Sequence, residues 1–134
     1  MNMKLRDILN EAKIQEPITV YRLEFRPLGV GPFSAKFNRR LHWSDAKVFD
    51  GIADRYSKNN PAKDKPTRVP KDWVFGYLNP DQIHKDFDPI DLKYLLGRNF
   101  GVFKYENITK YKMISSVEVL FYRPDPKDHS EIKI

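Results

Sequence analysis

The chain has 134 residues, of which 40% are hydrophobic and 13% aromatic, enough for one domain with a real core and too little for two of ordinary size. It contains no cysteine, which excludes disulfides, thiolate zinc sites and cysteine nucleophiles. Formal net charge is +6, from 24 Lys and Arg against 18 Asp and Glu. This balance favours contact with polyanions, but acids are interspersed along the whole chain, so the expectation is generic contact with DNA or an acidic protein surface rather than base reading.

Residues 1–15 read as a short amphipathic helix, with Leu5, Ile8, Leu9 and Ala12 on one face. Glu16-Pro17 ends it. Ile18 to Phe25 reads as a strand: Tyr21, Leu23 and Phe25 share a core face, while Val20, Arg22 and Glu24 share the other. The glycine- and proline-marked loop Arg26–Phe33 follows, where backbone can approach a ligand closely. Lys36, Arg39 and Arg40 then alternate with Phe33 and Phe37, a pattern suited to partner contact if the rings do not simply anchor the loop. Ser44 is placed to cap a helix whose stripe is Phe49, Ile52, Ala53 and Tyr56.

From Ser57 to Asp72 the chain turns to Lys, Asn, Pro and Asp with no apolar period. It reads as a long basic surface loop, with Lys63, Lys65 and Arg68 as candidate partner contacts. Trp73–Leu78 is an apolar run of strand length, expected to be buried on both faces. Asn79-Pro80-Asp81-Gln82 and Asp88-Pro89-Ile90-Asp91 are two helix starts, the second carrying Leu92, Leu95 and Leu96 and ending at Gly97. Phe100–Glu106 and Lys112–Arg123 read as strands, and in the latter Val117, Val119 and Phe121 oppose Ile114, Ser116, Glu118, Leu120 and Tyr122. Pro124 onward reads as a polar tail.

This order predicts an α+β fold. It is a small single domain over residues 12–123, with a mostly antiparallel or split sheet and short helices packed on it, and residues 124–134 as tail. No Walker or Rossmann glycine motif is present. The histidines His42, His84 and His129 lack ligand spacing, so no metal site is expected. No apolar run approaches the roughly 18 residues that cross a bilayer, and no membrane contact is expected. Arg22 and Glu118 are charges inside otherwise apolar strands, so each needs a partner or a cleft. An ion pair between them, or between Arg22 and Glu24, is the simplest account.

Two resemblances bear on function. The opening Met3-Lys-Leu-Arg-Asp-Ile-Leu-Asn-Glu-Ala12 resembles the leader of internal head proteins of T-even-type bacteriophages, which the prohead protease cuts after a Leu-x-Glu or Ile-x-Glu tripeptide. Here the tripeptide is Leu9-Asn10-Glu11, followed by Ala12. The resemblance implies a cleaved capsid-targeting leader over residues 1–11, a virion protein inside the phage head, and delivery into the host cytoplasm. On that reading the body binds and inhibits a host protein such as a defence nuclease, with no cofactor.

Residues 18–122 resemble small ADP-ribosyltransferase-like domains. The features are a first-strand arginine (Arg22), a strand running into a helix (Trp73–His84), and a late-strand glutamate before Val-Leu (Ser116-Val-Glu118-Val-Leu-Phe121). This implies NAD as cofactor and transfer to a host protein. Arg22 would position the dinucleotide, and Glu118 would stabilise the oxocarbenium-like ribose. The family's Ser-Thr-Ser signature has no counterpart near Trp73–Leu78, and Ser116 stands where a Glu or Gln is usual.

Overall fold

The computed structural model describes residues 15–39, 41–60, 69–123 and 129–134. The domain is α+β, as the element order predicts. Its strands are β1 (Ile18–Phe25), β2 (Trp73–Tyr77), β3 (Phe100–Ile108), β4 (Tyr111–Met113), β5 (Glu118–Tyr122) and β6 (Ser130–Ile132). Its helices are the single turn α1 (Ala35–Asn38), the long α2 (Trp43–Asn59), and the short α3 (Asp81–Asp86) and α4 (Pro89–Leu96). All strand pairs are antiparallel, in the order β4-β5-β2-β1-β3-β6.

That order forces the sheet to roll. β3 and β4 have three strands between them, yet only Thr109 and Lys110 join them in the chain. In a flat sheet β3 and β5 would lie about 14 Å apart, but the rings of Tyr105 and Phe121 meet at 5.4 Å. The concave face therefore closes over its own core of Val20, Phe103, Tyr105, Val119 and Phe121. The convex face carries the helices, packed through Phe49, Ile52, Ile83, Phe87, Leu92 and Leu95 onto Leu23, Tyr77, Phe100 and Val102. Burial of each such side chain contributes about 1.5–3 kcal/mol.

Alternation along β1 explains why it serves both layers. Tyr21, Leu23 and Phe25 face the helices, while Val20, Arg22 and Glu24 face the concave side, which is also a core. Phe37 anchors the loop after β1 by meeting Phe25, Phe49 and Phe100 at ring distances of 4.9–5.0 Å.

Local details depart from the sequence reading. His42, not Ser44, precedes α2, and its ring nitrogen accepts from the Ser44 backbone. α2 runs to Asn59, so the segment read as loop begins three residues late. The helix has no stop signal before Asn60, whose N–H still reaches the Tyr56 carbonyl. Asn79 does bond the Asp81 N–H, at 2.8 Å, one residue ahead of the assigned cap at Pro80. Gly97 closes α4 with ordinary helical φ, and Asn99 takes the left-handed turn at φ 70°.

The expected strand over Lys112–Arg123 is a hairpin, β4 and β5, because Ser115 turns the chain by accepting from Val117 and Glu118 N–H groups. The expected polar tail contains β6, which pairs with β3. Its anchor is the fork of Arg26 on Glu131, at 2.7 and 2.8 Å, a contact 105 residues apart that no local pattern signals.

Candidate functional site

β1 and β2 share a single register pair, Tyr21 with Tyr77, whereas β1 and β3 run together for most of their length. Beyond that pair a side chain replaces the ladder: Arg22 donates through Nη1 to the Phe75 carbonyl at 2.6 Å. A cleft of about 500 Å³ opens at this split, within the range of small-molecule sites. Its walls are Arg22 and Leu23 from β1, the loop Gly31–Ser34, the strand Trp73–Tyr77, and Tyr56, Val69, Phe87 and Glu118.

The two charges singled out in the strands thus line one cleft. Arg22, with its side chain 11% exposed, also donates through Nε to Glu24 at 2.8 Å, which is the intrastrand pair anticipated from sequence. Glu118, 1% exposed, projects from β5 on the side of Tyr77, its register partner.

Behind Glu118 lies a dense polar group. The Asn60 amide donates to Glu118 Oε2 at 3.3 Å, to Asp86 Oδ2 at 2.7 Å and to the Tyr56 hydroxyl at 2.9 Å. The Tyr77 hydroxyl donates to Asp86 Oδ2 at 2.7 Å and lies 2.9 Å from that of Tyr56. Gln82 donates to the other Asp86 oxygen at 2.9 Å. Burial pushes the Tyr77 phenol far above its usual ionisation range, and the neighbouring Tyr56 and Asp86 add to the effect, so Tyr77 is a fixed donor. With their hydrogen bonds satisfied, these side chains make a rigid floor for the carboxylate.

The cleft is also lined by aromatic rings. Phe33 stacks on Phe87 at 6.1 Å and leans on Tyr56 at 5.2 Å while remaining 37% exposed. Lined among the described residues by the Arg22 cation, the buried Glu118 carboxylate and several ring faces, the cleft suits a ligand that combines a flat, electron-poor group, hydroxyls and an anion.

Tyr56 reads as helix stripe and Tyr77 as part of a buried strand run, Asn60 falls in the segment read as loop, and no sequence pattern marks Asp86. Only their convergence from α2, β2 and α3 makes them part of a site. Among the partner-contact candidates, Arg39 is exposed. The Lys36 side chain, Arg40, Lys63, Lys65, Arg68 and the processing residues Leu9, Glu11 and Ala12 lie outside the described residues. Among the described residues no group of three or more His, Asp and Glu is arranged to hold a metal ion, and no helix is long and apolar enough to cross a membrane.

The fold is a small α+β domain built on one six-stranded antiparallel sheet, with a cleft where its first two strands part. No protein-family profile, curated protein or solved structure matches the chain.

Proposed function

We propose that the cleft binds NAD+ and that the protein transfers ADP-ribose from it to a host protein. The observation that carries this reading is that Arg22 of β1 and Glu118 of β5 line one cleft where β1 and β2 part. The pyridinium of NAD+ is a flat cation, suited to the faces of Phe33, Tyr56 and Phe87. Its diphosphate suits the Arg22 guanidinium. Glu118, held by Asn60, supplies a fixed negative charge beside the ribose.

In the reaction the glycosidic C1′–N bond breaks and its electron pair goes to the nicotinamide nitrogen, which leaves neutral. The positive charge that develops on the ribose is stabilised by the Glu118 carboxylate. A lone pair on the acceptor then forms the new bond to C1′, and the acceptor loses a proton. The leader resemblance supplies the setting: a protein carried in a phage head that meets its acceptor in the host after delivery.

The test is incubation of the full chain with labelled NAD+ and host extract. Label should pass to protein, and Glu118→Gln should cut transfer by about 10²-fold or more while leaving the unfolding temperature unchanged. NAD+ at 100 times its Kd should stabilise the chain by about 2.7 kcal/mol. No stabilisation at millimolar NAD+ contradicts the reading and favours a protein that acts on its host by surface binding alone.

A further inference from the structure

Glu24 is fully buried, and nothing in the chemistry above uses it. It accepts from Arg22 Nε at 2.8 Å, from the Tyr105 hydroxyl at 2.9 and 2.7 Å, and from Arg123 Nη1, with His129 Nε2 3.8 Å away. Arg123 in turn donates to the Gly29 carbonyl at 2.8 Å and contacts the Tyr105 hydroxyl at 3.1 Å. The cluster gathers β1, β3, the end of β5 and the start of β6 around one carboxylate.

Two consequences follow for Arg22. Its guanidinium is fixed at two corners, by Glu24 at Nε and the Phe75 carbonyl at Nη1, while Nη2 borders the cleft wall, 3.6 Å from where a β-carbon on Gly31 would sit. Glu24 is also shared: two guanidinium charges against one carboxylate leave a net positive charge. A dedicated ion pair would cancel the charge of Arg22, whereas sharing with Arg123 leaves positive potential at the cleft wall.

We propose that Glu24 is a positioning residue: with Tyr105 and Arg123 it orients Arg22, and leaves it charged, for a diphosphate in the cleft. The proposal rests on reading the cleft as a nucleotide site, and does not require transferase activity. Tyr105 and Arg123 do not line the cleft, so any effect they have on a ligand passes through Glu24 and Arg22.

The experiment measures the Kd of two probes on the full chain: ADP-ribose, which carries the diphosphate, and nicotinamide riboside, which carries no phosphate. Tyr105→Phe removes the hydroxyl that donates to the Glu24 carboxylate, and no charge. It should weaken ADP-ribose about five- to tenfold and leave nicotinamide riboside unchanged, and Arg123→Gln, which leaves Glu24 paired with Arg22 alone, should do the same more strongly. Unchanged ADP-ribose affinity in the folded variants, or equal weakening of both probes, overturns the proposal.

A wild-type measurement covers the case in which neither variant folds. The Arg22 Nε–H resonance, assigned by its loss in Arg22→Lys, should shift on adding inorganic pyrophosphate, and no shift overturns the assignment. Wild-type binding of ADP-ribose without transfer from NAD+ supports this inference and contradicts the transferase reading. Binding of neither probe contradicts both.

Discussion

Asp86 offers a sharp test of how the cleft is held. Replacing it by alanine removes the acceptor for Tyr77, Asn60 and Gln82 at once, three donors that are themselves buried. A buried donor that loses its acceptor costs about 1–3 kcal/mol; Gln82 loses its bond outright while Tyr77 and Asn60 keep Tyr56 as a partner, so the three together cost about 3–5 kcal/mol. At about 4 °C per kcal/mol for a chain of this size, the unfolding midpoint should fall by about 10–20 °C, with a folded protein remaining at room temperature.

Asp91→Ala is the comparator. That carboxylate is also buried and makes a bidentate contact with Arg55, at 2.7 and 2.9 Å, but the Arg55 side chain is 45% exposed and regains water when its partner goes. Its loss should be far smaller. Thermal unfolding followed by circular dichroism reads both. Equal losses would refute the argument that the Tyr77–Asp86–Asn60 network, rather than carboxylate burial as such, braces the cleft.

Gly76→Ala drives a β-carbon into Val20 Cγ1 and to 3.1 Å from the Tyr21 carbonyl, beside the point where β1 and β2 are joined. Chemical denaturation should show a loss of at least about 1–3 kcal/mol, partly restored by Val20→Ala. Glu131 is held below the usual carboxylate range by its bond to Arg26, so the stability it lends β6 is present above that range and is lost as pH falls through the depressed value. Hydrogen-exchange protection of the β6 amides should drop in acid, and Glu131→Gln should lower it at neutral pH. Burial raises the Tyr77 and Tyr105 phenols, with Tyr56 reinforcing Tyr77 and Glu24 reinforcing Tyr105. Both should stay neutral while exposed tyrosines ionise, and the stability this brings is complete below about pH 10 and declines above it. Alkaline absorbance titration of wild type against Tyr77→Phe and Tyr105→Phe tests this, and phenolate signal lost near pH 10 in either variant would contradict it.

Most of the fold was legible because its elements announce themselves locally. Alternation in Ile18–Phe25, the apolar run at Trp73 and the Asn79-Pro80 and Asp88-Pro89 starts each correspond to an element in the structure. One miss is a contact made at long range and another is a local turn inside an apolar run. β6 exists because Glu131 meets Arg26, and the β4–β5 hairpin because Ser115 turns a chain that reads as one strand. The roll of the sheet was not legible, because no pattern in Phe100–Tyr122 reveals that β4 returns to the far edge.

Of the site, Arg22 and Glu118 could be picked out as charges in apolar strands, which physical cost alone makes conspicuous. Asn60, Asp86 and Tyr77 could not, since a turn asparagine, a helix-end aspartate and a strand tyrosine look ordinary until they meet. Glu24 was visible as a partner for Arg22, but its sharing with Arg123, 99 residues away, was not.

The most direct test of the central claim is a calorimetric titration of NAD+ into the full chain and into Arg22→Ala. Saturable binding of one NAD+ per chain, clearly weakened in the folded variant, is the predicted result. No binding heat at millimolar NAD+, or equal affinity in the two proteins, would contradict the assignment of the β1–β2 cleft as the NAD+ site.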